Sequence, residues 1–294
     1  MNRDFDQFAA RAAPVVFVLL WSTGFVGTKY ALSGAEPLTY LAIRMVLVVI
    51  LMAGIVAIWR PRWPSLSQMG HSAVAAILVH GFYLGGTAVA IAHSVPVGLS
   101  ALIPGLQPIL TSTIANRWLG ERVTWLQWIG LLLGLAGVVL ILHGRPMTGE
   151  VGWGWFASGV SLVSITLGAL YQKRFCSAID WRSGNLVQYF AATIFFGAGS
   201  YLFESGTVQW TREFVLAVVW LAVVLSIGSI SVLYWLIRHH GATQVASFFY
   251  LVPAVTAVMA FILFGEKLDA LSIFGMTACA VAVVMVNRAR RVTG

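Results

Sequence analysis

The side chains able to do chemistry in this sequence are few and far apart. Its six histidines (His71, His80, His93, His143, His239 and His240) are scattered. None sits in an HExxH pair or beside paired carboxylates that could hold a metal or run acid–base chemistry. The GxSxG turn of acyl transfer and the GxGxxG turn of dinucleotide binding are both absent. What remains are neutral polar groups and aromatic rings inside long apolar runs. Such groups can hydrogen-bond and stack on a small organic solute, but they cannot activate a bond. Binding or transport is therefore the stronger reading, no cofactor or metal is implied, and a membrane-embedded enzyme is the weaker alternative.

Helical spacing groups these side chains. Gln107 shares a face with Ser100 and Thr111, seven and four residues away. An unpartnered amide is costly in lipid, so Gln107 is expected to face the protein interior, as interhelical glue or as a substrate ligand. His80, Tyr83 and Thr87 share another face, and an intramembrane ionisable residue is a functional candidate by default. Trp21 lines up with Phe17, Phe25 and Thr28. Ser161, Ser164, Gly168 and Tyr171 form a third polar stripe, and Thr243, Ser247 and Tyr250 a fourth. The expected substrate contacts are accordingly Trp21, His80, Tyr83, Gln107, Ser164, Tyr171, Ser247 and Tyr250. Arg44 is the single basic residue well inside an apolar run. It is expected to snorkel toward the surface or satisfy backbone carbonyls, with a substrate carboxylate as the alternative partner.

The elements that must position these groups follow from composition. Of 294 residues, 59% are hydrophobic and 10% charged, and the mean hydropathy is +0.87. A soluble fold cannot bury that much apolar surface, whereas a bilayer can. The net charge of +8 is spread singly between apolar runs. It reads as a topology signal and not as a nucleic-acid-binding face. Cys176 and Cys279 have no paired spacing and are expected to be packing residues. The opening "MNRDFDQFAARAAP" shows no cleavage site of a removable signal peptide.

About 20 apolar residues cross the hydrocarbon core as a helix. That criterion predicts an all-α polytopic membrane protein with ten spans, near 14–32, 37–58, 70–92, 96–116, 123–142, 153–174, 183–203, 213–237, 242–264 and 270–288. Ten spans put both termini on one side. With that side cytoplasmic, 13 basic residues fall inside and 4 outside, the bias expected of a multi-pass plasma (inner) membrane protein with cytoplasmic termini. Nine of the 12 tryptophans lie near predicted span ends, where the ring anchors at the interface.

Sliding the chain by 145 residues superposes Pro108 on Pro253, Gly120-Glu121 on Gly265-Glu266, Arg122 on Lys267 and Gly130 on Gly275. Four matches in register divide the chain into residues 1–146 and 147–294, five spans each. Because five is odd, the second half enters the membrane from the opposite side, giving two inverted repeats. Pro108 and Pro253 are read as structural kinks that shape the cavity. Glu121 and Glu266, each followed by a base, are read as helix-end charges or as the halves of a gate.

The proline-containing helix ending in "LGERVTWLQWIGLLLGLAGVVLI" (119–141), echoed by "FGEKLDALSIFGMTACAVAVVMV" (264–286), resembles the paired EamA-type domains of the drug/metabolite transporter superfamily. Within it, the chain looks most like the bacterial exporters of aromatic and other neutral amino acids. The resemblance implies a ten-helix carrier, functional as a monomer, with a small-molecule substrate and the lipid bilayer as its only partners. Phosphorylated substrates would call for several buried cations, and only Arg44 is available. Export of cationic drugs is the alternative; relatives that do this depend on a glutamate in the first span, and residues 14–32 contain none.

Overall fold

The computed structural model describes residues 3–95, 97–118, 124–142, 151–239, 242–264 and 270–291. Glu121 and Glu266 lie outside the described residues. Those residues form ten helical rods: α1 (Arg3–Ala31), α2 (Pro37–Trp59), α3 (Leu66–Ala92), α4 (97–118), α5 (Trp125–Leu142), α6 (151–176), α7 (Trp181–Phe203), α8 (Arg212–His239), α9 (242–264) and α10 (Ala270–Arg291). The rods coincide with the ten predicted spans, and seven of them are long and apolar enough on their own to cross a membrane. Among the described residues there is no β-strand, only an isolated bridge between Ala35 and Val208. The reason is physical: hydrocarbon offers no hydrogen-bond partner, so each backbone segment must satisfy itself as a helix. The protein is an all-α, multi-pass membrane protein.

Rod ends carry the expected devices. Pro37 opens α2, where its missing N–H has no role. Ser65 and Gln68 form a reciprocal capping box at the start of α3. Asp180 and Thr211 cap α7 and α8. At one end of the bundle, Glu204 accepts hydrogen bonds from the backbone of Leu38 and Thr39 at 2.8 and 2.7 Å, tying the end of α7 to the start of α2. Glu36 accepts the hydroxyl and the N–H of Ser205, and these bonds hold its carboxyl below the usual carboxylate range. Trp59, Trp63, Trp125, Trp153 and Trp210 are exposed at rod ends, as interfacial anchors would be.

Two long helix pairs flank the bundle. α2 packs along α7 and α5 along α10. The second pair meets through small residues: a side chain at Gly130, Gly134 or Gly137 would run into α10 or the Tyr250 ring. Close backbone approach of this kind is how helices associate where lipid removes the hydrophobic drive. Between the flanking pairs, α1 packs on α8 and α9, and α6 packs on α3 and α4. Exchanging α1 with α6, α3 with α8 and α4 with α9 turns one set of partners into the other.

Four of the rods are irregular within their length, and α6 ends in a further π-helical turn, Gln172–Cys176. A π-helical turn interrupts α3 at Ile77–Phe82 and α8 at Leu221–Ser229. A 3-10 turn interrupts α4 at Ile103–Leu106 and α9 at Phe248–Tyr250. Shifting 77–82 by 145 gives 222–227, and shifting 103–106 gives 248–251, so the irregularities recur in register. Pro108 and Pro253 stand just after the 3-10 turns, in the first turn of the resumed helix, where a missing N–H costs least.

Candidate functional site

The aromatic stripe of α1 turns inward. Phe17, Trp21 and Phe25 are all buried. Trp21 is wedged between three rings: Phe17 at 5.1 Å, Phe249 edge-on at 5.3 Å and Tyr83 nearly parallel at 6.0 Å between centroids. Its indole Nε1 donates to the Tyr83 hydroxyl at 3.1 Å, which satisfies the one polar group the ring carries into the core. Tyr83 is fixed from the other side as well. The Ser161 hydroxyl donates to its backbone carbonyl at 3.0 Å and lies 2.8 Å from the Thr87 hydroxyl. One hydrogen-bonded chain therefore joins α1, α3 and α6.

Beside this chain is a cavity lined by residues of α1, α2, α3 and α8, among them Trp21, Thr28, Arg44, Tyr83, Thr87 and Leu225. The space open to water-sized molecules is about 40 Å³, room for a few waters and far below the ~300 Å³ at which ligand sites usually begin. The walls must separate before an organic solute fits. On the α1–α8 side the helices approach closely, since a Cβ at Gly24 would meet Leu225 and one at Gly27 would meet Leu221.

Arg44 corrects an expectation. It neither snorkels outward nor caps carbonyls: it is buried, at 4% exposure, and its Nε donates to the Ser226 hydroxyl at 3.0 Å. Ser226 lies in the π turn of α8 and bonds the Leu221 carbonyl five residues back. Tyr189 reinforces that turn by donating to the Ser226 carbonyl. Arg44 thus faces a collar of phenols (Tyr40, Tyr83 and Tyr189) within electrostatic reach.

The remaining expected contacts are distributed differently. His80 is fully buried beside Tyr189, with ring centroids 4.6 Å apart and neither ring nitrogen partnered among the described residues. It does not line the cavity with Tyr83 and Thr87, because the π turn, whose Tyr83 N–H reaches back to Leu78, inserts an extra residue and rotates the face. Gln107 is buried in α4, and among the described residues its amide oxygen lacks a partner, as do the Ser100 and Thr111 hydroxyls on the same face. Ser164 is buried on α6, and Ser247 bonds the Gln244 carbonyl within α9. Tyr171 reaches His71 at 2.7 Å between α6 and α3. Tyr250 donates to the Leu131 carbonyl at 2.6 Å and lies against Gly134. The structure brings Trp21, Tyr83 and Thr87 together with Arg44, sets His80 one layer behind them, and leaves Tyr171 and Tyr250 on other contacts. Ser226 and Tyr189 are the members that the sequence reading missed. Arg44, expected there to snorkel or satisfy carbonyls with a substrate carboxylate only as the alternative, is the one it placed wrongly. Tyr40 and Arg44, four residues apart on α2, were the available signal.

Ten membrane rods around a small ring-and-hydroxyl cavity, with no metal-holding cluster among the described residues, are the build of a solute carrier. The comparisons agree. The chain belongs to the EamA-like transporter family, whose model matches residues 12–143 and again 152–288. It is 27% identical over 279 residues to the uncharacterized transporter YvbV of Bacillus subtilis, covering 92% of this chain and 88% of that one. It is 23% identical over 273 residues to a probable amino-acid metabolite efflux pump of Escherichia coli, covering 89% of each. A solved crystal structure shares the fold at a TM-score of 0.79 and 18% identity, over 97% of this chain and 99% of that one. The protein is a membrane transporter.

Proposed function

We propose that the protein exports neutral and aromatic amino acids, or similarly small amphipathic metabolites, by alternating access through the cavity beside Trp21 and Tyr83. The observation that carries this reading is the cavity wall itself. Rings on α1 offer stacking surface, hydroxyls of Thr28, Tyr83 and Thr87 offer hydrogen bonds, and no carboxylate among the described residues lines the space. A zwitterion with an apolar side chain suits such a wall. Export of cationic drugs is the poorer fit, because it asks for a negative group in the membrane. Of the ten acidic residues, none lies deeper in a predicted span than Glu213, the first residue of the eighth.

The carrier consists of residues 1–146 and 147–294 as inverted repeats, in the inner membrane, with both termini cytoplasmic, working as a monomer. The double family match and the partner exchange between rods support the two repeats. The paired π and 3-10 turns are where α3, α8, α4 and α9 flex as access alternates, since such irregular turns often mark hinges.

Counterflow in proteoliposomes tests the reading. Vesicles preloaded with unlabelled phenylalanine, tyrosine or leucine should accumulate the labelled amino acid saturably, while lysine, glutamate and sugar phosphates should not drive it. Saturable counterflow of a cationic drug with none for any amino acid would overturn the proposal.

A further inference from the structure

Resting on the amino-acid reading above, we propose that Arg44 is the specificity-determining residue of the cavity: its guanidinium binds the carboxylate of the transported solute, and Ser226 holds it ready. A guanidinium remains charged at physiological pH and has five N–H donors. Burying one without a counter-ion is costly, so intramembrane cations mark function or pair with an anion. Arg44 has no such resident anion among the described residues. Among the acidic side chains described, Glu36 is taken by Ser205, Glu204 by Leu38 and Thr39, and Asp180 sits by Arg182. Glu213 lines a separate groove between α1 and α8. The other six (Asp4, Asp6, Glu121, Glu150, Glu266 and Asp269) lie outside every predicted span.

The collar around Arg44 does not neutralise it either. Its three tyrosines are neutral phenols at physiological pH, and none of the three hydroxyls accepts a hydrogen bond from Arg44. Tyr40 donates to Thr28, Tyr189 donates to the Ser226 carbonyl, and Tyr83 accepts from Trp21. Ser226 takes only Nε of Arg44. The two terminal nitrogens, the fork that fits a carboxylate in a bidentate pair, have no hydrogen-bond partner among the described residues. Because Arg44 lines the cavity with Trp21, Phe25 and Leu225, a solute anchored there by its carboxylate would lay its apolar part against those rings and aliphatic groups. A merely structural strut between α2 and α8 would need only the Ser226 contact.

Matched pairs of probes separate the two roles. Purified full-length protein in detergent is titrated with phenylalanine against phenylalaninamide, and with 3-phenylpropanoate against 3-phenylpropanamide, and thermal stabilisation is read. In the wild type, the carboxylate of each pair should stabilise at concentrations at least tenfold lower than its amide. Arg44→Gln should erase that preference. Arg44→Lys should reduce it, because a point charge replaces the fork. Equal response to both members in the wild type, no response to either, or a preference that survives Arg44→Gln would overturn the assignment. The wild-type pairs decide even if the Gln variant does not fold. A carboxylate preference without any amino-acid counterflow would refute the proposed function while leaving this inference standing.

Discussion

Replacing Gly137 by leucine should destabilise the protein by about 3 kcal/mol or more, at the upper end of what overpacking usually costs. A Cβ at this position would stand 2.6 Å from the carbonyl oxygen of Gly275, 2.9 Å from Cys279 Sγ and 3.0 Å from Ala278 Cβ. The nearest obstacle is backbone, so no side-chain rotation relieves the clash. α5 must move away from α10, breaking the contact of the Cys279 thiol with the Gly134 carbonyl and loosening the seat of Tyr250 at Leu131. Gly54→Leu is the matched control, because nothing lies within 4 Å of a Cβ there. The midpoint of thermal unfolding in detergent should fall by many degrees for Gly137→Leu and stay near the wild-type value for Gly54→Leu. Equal midpoints would mean that α5 and α10 do not meet through this glycine ridge.

Trp21→Ala should abolish saturable transport and also lower stability by about 3–5 kcal/mol, the range for removing a core aromatic. The indole touches Phe17, Tyr83 and Phe249 at once, and its loss leaves the Tyr83 hydroxyl without its donor. Trp21→Phe separates packing from recognition. The ring remains, so the unfolding midpoint should drop little. The lost N–H frees Tyr83, and KM should rise about three- to tenfold, as expected for one hydrogen bond. A Phe variant that transports with wild-type KM would remove Trp21 from the binding wall and leave it a core residue.

The rods were legible because a bilayer enforces them. Uninterrupted apolar runs with short polar connections admit no other backbone solution, and the observed bounds differ from the expected ones mainly at α1, which extends back to Arg3. The breaks in α4 and α9 were also readable, since Pro108 and Pro253 announce them. The π turns of α3 and α8 carry no such flag, and they decide which side chains face the cavity. That is why His80 parts company with Tyr83 and Thr87. Arg44 was misread for a related reason. α2 is apolar around its whole circumference, so the pattern does not reveal which face turns inward. Tyr250 shows the limit of reading faces one helix at a time: Gly134 opens a slot on α5, and the phenol occupies it.

The central claim, that the solute occupies the cavity walled by α1, α2, α3 and α8, is tested most directly at Thr87. In a chain whose Cys176 and Cys279 are replaced by alanine, Thr87→Cys introduces one thiol into that wall. Its rate of modification by a small membrane-permeant maleimide is then measured in proteoliposomes. A transported neutral amino acid should slow modification severalfold, with the same concentration dependence as counterflow. Modification that proceeds at one rate while counterflow saturates would place the solute elsewhere and contradict the account.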